Sequence, residues 1–218
     1  MIQIPKSRSN EYDESVLNKY NQFIQYSELP ESCKYVELEN DILPRKFQKV
    51  VDNIKPAIDT KTSIIVRVQD YIVSSKFSSI LLDTYFQKCY LNNDILRTVL
   101  YVDTNLLVQD YKKLMDSDKV NSLSHSYDLL SEKIFTADYV IWNRFSMVAS
   151  NYDIAKVYNI LLERYRKNLG NLFFTITSDT ELIDIFSEEV WHLMASTHTQ
   201  DCTLENIEFK KKGSNLQW

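Results

Sequence analysis

The sequence predicts an α/β protein with a five-stranded, mostly parallel sheet between layers of helices and a short N-terminal helical appendage. Short and almost wholly apolar runs, such as residues 138–142, are typical of strands that are buried on both faces. Longer stretches with apolar residues at helical spacing alternate with these runs. This alternation favours βαβ units with right-handed crossovers around one parallel sheet.

The composition is that of an ordinary globular protein. The chain has 218 residues, of which 44% are hydrophobic and 25% are charged, and this length is enough to bury a sizeable core. The net charge of −5 means that any contact with nucleic acid needs a local basic patch. No apolar run approaches the length of a membrane span, and the N-terminus lacks the apolar segment of a signal peptide. We therefore expect a cytoplasmic protein with no membrane partner.

Cysteine, histidine and glycine usage restricts the chemistry further. Cys33, Cys89 and Cys202 are far apart and odd in number, and the three histidines also stand apart, so the sequence predicts no disulfide framework and no metal site. The chain has two glycines, Gly170 and Gly213. This scarcity matters because loops that cradle phosphate depend on glycine.

The first part of the chain divides into a helical extension at residues 1–60 and the start of a core that spans 61–218. Apolar spacing predicts helices at 12–26, 45–59 and 74–91, strands at 64–68 and 98–102, and a further helix at 123–134. Pro56 is expected to end or bend the second helix, because proline lacks an N–H group. The amphipathic first helix could dock on a partner or on its own core, and the sequence leaves both open.

The second part of the chain continues the alternation. The patterns predict a strand at 138–142, a helix at 153–167, a strand at 172–177, a helix at 182–194 and a fifth strand at 204–209. The acidic residues between 179 and 189 are interpreted as one solvated helix face.

Several motifs in this order resemble the ATPase core of AAA+ proteins, in particular the replicative-helicase loaders of the DnaC/DnaI kind. Residues 138–144 and 154–165 resemble the acidic strand of that family and the helix that ends in an Arg-Tyr pair. Residues 174–179 resemble its sensor strand, which usually ends in Thr-Ser-Asn, and 29–32 resemble the entry to the core. The resemblance covers roughly residues 29–212 and implies a P-loop/AAA+ RecA-like core with no lid domain.

The motif that binds phosphate in such proteins, G-x-x-x-x-G-K-[ST], matches the eight residues from Asp70 to Phe77. Lys76 retains the motif lysine, whereas Asp70 and Ser75 stand at the two glycine positions and Phe77 stands where a hydroxyl would bind magnesium. An ordinary connection between a strand and a helix is the alternative interpretation of this stretch, since without glycine a phosphate loop is hard to form.

The other positions that the resemblance assigns to ATP chemistry are altered as well. Asn143 and Arg144 stand where the family has acids for magnesium, and Arg144 could either pair with a neighbouring acid such as Asp70 or remain solvated. Asp179 stands where the sensor strand usually has Asn, and residues 188–194 lack the arginine expected there. The sequence therefore predicts no catalytic residue, no metal and no cofactor, with ATP and Mg²⁺ disfavoured.

These observations together predict a non-hydrolysing AAA+-like protein that acts through protein contacts in the DNA replication of a phage or mobile element. The resemblance implies a replicative helicase or another replication protein as the partner, and it leaves an oligomer open. One alternative is a loader that still binds ATP through Lys76. The other is an accessory protein that binds single-stranded DNA, with Lys210, Lys211 and Lys212 as the candidate contacts.

Overall fold

The computed structural model describes residues 14–34, 36–38, 45–68, 71–109, 129–145, 151–176, 178–195, 198–200 and 209–211. The helices are α1 (Glu14–Tyr26), α2 (Arg45–Thr60), α3 (Tyr71–Asn92), α4 (Asn151–Arg166), α5 (Asp179–Phe186) and α6 (Glu188–Ala195), with a short 3-10 helix at Glu31–Cys33 and further helical residues at 104–109 and 129–136. The strands are β1 (Val36–Leu38), β2 (Ile64–Arg67), β3 (Val99–Asp103), β4 (Tyr139–Asn143), β5 (Gly170–Thr175), β6 (His198–Gln200) and β7 (Phe209–Lys211).

The centre of the fold is a parallel sheet in the order β3-β4-β5-β2, and β6 extends it beside β2. The predicted α/β class with a parallel sheet and flanking helices is confirmed. The fifth strand that the sequence predicts at 204–209 stays a prediction except at its last residue. Residues 204–208 lie outside the described part of the chain, and Phe209 begins β7, which pairs with β1 in a separate antiparallel ribbon.

Alternate residues of each central strand enter two different cores, because successive side chains of a strand point to opposite faces. Along β4, Tyr139 and Ile141 pack in the core that contains α1, α2 and α3. Val140 and Trp142 pack in the other core, with residues of α4, α5 and α6. Both faces of the sheet are therefore covered, which explains why its strands are nearly continuous apolar runs.

Helix α1 packs on its own chain, so the described residues decide between the two interpretations of this helix. Tyr20, Phe23 and Ile24 are buried, and the Tyr20 hydroxyl donates a hydrogen bond to a carboxylate oxygen of Asp83 in α3. Residues of α1 and α2 thus share one core with the sheet. The division of the chain at residue 60 stays a prediction.

Two helix boundaries differ from the sequence prediction. Helix α2 continues past Pro56 to Thr60, because the Lys88 ammonium donates to backbone carbonyls of α2 and supplies the donor that proline lacks. The single helix predicted at 182–194 is two helices, α5 and α6. They are separated at Ser187, whose φ of 82° interrupts helical geometry.

Candidate functional site

The carboxyl ends of β2 to β5 meet at one edge of the sheet, which we call the carboxyl edge. Ligands of open α/β sheets usually bind at this edge. β3 ends at Asp103, β4 at Asn143 and β5 at Thr175, whose carbonyl accepts a hydrogen bond of 2.8 Å from the Val68 amide. Helix α3 begins here at Tyr71, and its first turns complete the edge.

Helix α3 occupies most of the stretch that matches the phosphate-binding motif. The sequence predicts that this helix begins at Ser74. In the structure the helix begins at Tyr71, so seven of the eight matched residues are helical. Two residues separate Val68 from Tyr71, and both lie outside the described part of the chain. The stretch forms helix because it contains no glycine and because its buried residues, Tyr71, Ser74 and Phe77, recur at helical spacing.

Asn143 is fully buried and lies at the centre of a closed set of hydrogen bonds, which we call the Asn143 network. Its Nδ2 donates to Ser75 Oγ (2.7 Å) and to the Tyr101 hydroxyl (2.8 Å). Its Oδ1 accepts from Ser74 Oγ (2.5 Å). Tyr101 and Ser75 are 2.9 Å apart, and Ser75 Oγ also donates to the Tyr71 carbonyl (2.9 Å). The side-chain amide of Asn143 therefore has all of its hydrogen-bonding groups paired.

The phenol of Tyr101 stays neutral within this network. Burial raises the pKa of Tyr101 to about 12, although the hydrogen bonds that its hydroxyl makes with Ser75 and Asn143 act in the opposite direction. The hydroxyl can therefore accept from Asn143 and still donate to Ser75 at physiological pH.

Arg144 follows the network directly and pairs with Asp103. Arg144 Nε lies 3.4 Å from Asp103 Oδ2, and the Arg144 backbone has a φ of 55°, a left-handed conformation that is unfavourable for residues other than glycine. The other oxygen of Asp103 accepts from the amides of Asn105 (3.1 Å) and Leu106 (3.3 Å) at the start of helical residues 104–109. The sequence left open whether Arg144 pairs with a neighbouring acid or remains solvated. The structure has the ion pair, and the acid is Asp103.

Solved replication proteins have similar structures. The AMPPCP-bound DnaA from Aquifex aeolicus superposes with a TM-score of 0.56 at 12% identity, over 82% of this chain and 52% of that one. The DnaC helicase loader superposes with a TM-score of 0.56 at 11% identity, over 81% of this chain and 98% of that one. DnaI superposes with a TM-score of 0.54 at 10% identity, over 84% and 90%. This chain has a DnaC/DnaI-like AAA+ fold.

The chain spans about half the length of the DnaA that it matches and nearly the whole length of the DnaC loader structure. No protein-family model matches the sequence, and no curated protein matches it. The similarity therefore concerns the AAA+ fold itself.

Among the described residues, positions that the resemblance assigns to a nucleotide and its magnesium ion carry other side chains or lie in a helix. Phe77, at the position of the metal-binding hydroxyl, is fully buried, and its ring centroid lies 4.4 Å from that of Phe47. Lys76 is half-buried in the second turn of α3 rather than at the end of a phosphate loop. Within the described ranges, no three His, Cys, Asp or Glu side chains are grouped so that they could hold a metal ion.

The remaining predicted site residues are not brought to a common site by the described structure. Asp70 and Lys212 lie outside the described residues, and Asp179 is the first residue of α5. Lys210 belongs to β7, where its register partner is Glu37 of β1.

Arg164, from the Arg-Tyr pair of the resemblance, is fully buried and unavailable to nucleic acid. Its guanidinium donates to Asn171 Oδ1 (2.8 Å) and to the carbonyls of Gly170 (2.6 Å), Ala137 (3.1 Å) and Ile134. Burial lowers the pKa of Arg164 to about 9, so it remains charged at neutral pH. Its role is to join α4, β5 and the segment before β4.

Sequence reasoning missed Ser74, Tyr101 and Asp103 as members of the carboxyl edge. Asp103 carried a usable signal, because an acid at the end of one parallel strand should lie beside the end of its neighbour. Tyr101 and Ser74 carried no such signal, since both fit the apolar or helical pattern of their own elements.

No helix in the described ranges is long and apolar enough to cross a membrane.

Proposed function

We propose that this chain is an accessory protein of DNA replication that acts through protein contacts and does not hydrolyse ATP. The observation that carries the proposal is the helix at the phosphate-loop position of a fold shared with DnaC, DnaI and DnaA. The partner is a replicative helicase or another replication protein, and the replication system is that of a phage or mobile element. The similarity to DnaC, whose structure is described as a helicase loader, supports the choice of a helicase as the partner.

Loss of hydrolysis follows from what phosphoryl transfer requires. Catalysis depends on positioning of the phosphates and on compensation of their charge by backbone amides, a lysine and a metal ion. Here the position of the metal-binding hydroxyl is taken by Phe77, which is fully buried, and that of a metal-binding acid by Asn143, whose amide is fully paired. Arg144, which would repel a metal ion, neutralises the nearby carboxylate of Asp103.

The proposal is tested with the purified chain and the purified replicative helicase of its replication system, mixed and separated by size-exclusion chromatography. We expect co-elution that is the same with and without ATP and Mg²⁺. In parallel, calorimetry and thermal unfolding with ATP, ADP and Mg²⁺ should show no binding and no stabilisation. If the two proteins elute separately, helicase is not the partner, and the remaining purified replication proteins are tested in the same way.

Two other results would replace the proposal. Stabilisation by ATP with Mg²⁺ that disappears in Lys76→Ala, but persists in the control Lys19→Ala on the exposed face of α1, would support a nucleotide-binding loader. Salt-dependent binding of a labelled oligo-dT strand, lost when Lys210, Lys211 and Lys212 are changed to Glu, would support a single-stranded DNA-binding accessory.

A further inference from the structure

We infer that the carboxyl edge contains a built-in replacement for a nucleotide and its metal ion. The Asn143 network fixes the first turns of α3 to the sheet, and Arg144 acts as the resident counter-cation of Asp103. The junction between α3 and the sheet is therefore locked without any ligand. This inference rests on the proposed function and deepens it, since it describes how the site is held in one state that does not respond to nucleotide.

The first support is the completeness of the Asn143 network. The amide has two N–H donors and one carbonyl oxygen, and all three are bonded to side chains from other elements. The partner hydroxyls of Ser75 and Tyr101 also bond to each other (2.9 Å). A buried polar group that lacks a partner is destabilising, so a closed network favours this one arrangement over an open one.

The second support is the set of elements that the network joins. Ser74 and Ser75 belong to the first turns of α3, Tyr101 to β3 and Asn143 to β4. The amide of Ile176, just after β5, donates to the hydroxyl of Tyr71 (3.2 Å) and ties a third strand to the same turn of α3. These are the elements that a ligand at this edge would otherwise connect.

The third support is the charge at the edge. Asp103 ends the strand next to β4, and its carboxylate lies 3.4 Å from Arg144 Nε. The guanidinium thus supplies the positive charge that a metal ion would supply to an acid at this place. No described acid other than Asp103 ends one of the four central strands, so Asp103 is the described strand-end carboxylate that Arg144 pairs with.

Hydrogen exchange of the full-length chain tests the inference. We expect amides 71–78 to exchange at the same rate with and without ATP and Mg²⁺. In Asn143→Ala, the same amides should exchange at least about tenfold faster, because several hydrogen bonds that hold this turn are lost. The matched control is Asn171→Ala, which removes a second buried Asn on β5 that bonds Trp142 and Arg164 instead of α3.

The control separates a local lock from a general loss of stability. If Asn143→Ala and Asn171→Ala accelerate amides 71–78 equally, Asn143 is one more core residue and the inference fails. Protection of these amides by ATP with Mg²⁺ in the unmodified chain also overturns it. If Asn143→Ala does not fold, Tyr101→Phe replaces it, since this change removes one hydroxyl from the network and keeps the ring; it should accelerate 71–78 more than Asn171→Ala does.

These results are independent of the partner experiment. A chain that forms a complex with helicase and yet shows no local effect of Asn143→Ala would refute the lock and leave the proposed function intact. A chain that shows the local effect of Asn143→Ala but binds no replication protein would support the lock and refute the proposed function.

Discussion

The Lys88 ammonium of α3 donates a hydrogen bond to the backbone carbonyl of Asp52 in α2, at 3.0 Å. In an uninterrupted helix this carbonyl would accept from the amide of residue 56, but that residue is Pro56 and has no N–H. A second contact reaches the carbonyl of Val51 at 3.1 Å. Lys88 therefore allows a helix to run through a proline, and it joins two neighbouring helices of one core.

This relationship predicts a coupling between Lys88 and Pro56. Lys88→Met should lower the free energy of unfolding by about 1–2 kcal/mol, because it leaves a carbonyl without a donor. In a Pro56→Ala background the new amide can serve Asp52, so the same change should cost less, with a coupling of about 1 kcal/mol. Urea unfolding of the four variants measures the cycle, and strict additivity would contradict the assignment.

The neighbouring arginines of α4 should differ sharply in their contribution to stability. Arg164→Met leaves several buried acceptors without a donor and should cost at least about 3 kcal/mol. Arg166→Ala, which removes an exposed ion pair with Glu163, should change stability by less than about 0.5 kcal/mol. Thermal unfolding of both variants checks this, and similar costs would show that Arg164 is not the buried donor described above.

Gly170 is required because its neighbours leave no space for a side chain. A Cβ atom at this position would lie 2.4 Å from the ring of Tyr139 and 2.9 Å from the backbone of Lys61. We expect Gly170→Ala to destabilise the chain by about 1–3 kcal/mol through overpacking. In a Tyr139→Ala background, denaturant unfolding should show a smaller cost, since the closer of the two contacts is gone. An unchanged cost would assign the requirement to Lys61 alone.

The left-handed backbone of Arg144 predicts an unusual order of variants. Arg144→Ala loses the pair with Asp103 and keeps the unfavourable φ of 55°, whereas Arg144→Gly loses the pair and relieves the backbone. The Gly variant should therefore be more stable than the Ala variant by about 1 kcal/mol. Chemical denaturation of both measures the difference, and a more stable Ala variant would be evidence against the left-handed conformation.

Lys156 in α4 predicts a rise of stability with pH. Burial lowers the pKa of Lys156 from 10.5 to about 7 in the folded chain. Between these two values the unfolded chain binds one more proton than the folded chain, so unfolding becomes less favourable as the pH rises above about 7. The rise should be smaller in Lys156→Met, and the difference between the two pH profiles of unfolding isolates this side chain. Parallel profiles would contradict the prediction.

The carboxyl edge was only partly predictable from the sequence. The resemblance placed Asn143 and Arg144 at the positions where the family has acids for magnesium, and Phe77 at the position of a metal-binding hydroxyl. It did not indicate that Asn143 bonds to Ser74 or Tyr101, because those residues are 69 and 42 positions away in the chain. The helical state of residues 71–73 was missed for a different reason, since the similarity of this stretch to a loop motif outweighed its apolar spacing.

What the sequence determined by itself is the alternation of buried strands and amphipathic helices, and hence the α/β class with a parallel sheet. These follow from hydrophobic periodicity, which is local. The tertiary structure decided how far helices extend and which polar groups meet. Helix α2 passes Pro56 because Lys88 from another helix supplies a donor, and Arg144 pairs with Asp103 because parallel pairing sets the ends of β3 and β4 side by side. Such contacts join residues that are far apart in the chain, so local sequence patterns do not predict them.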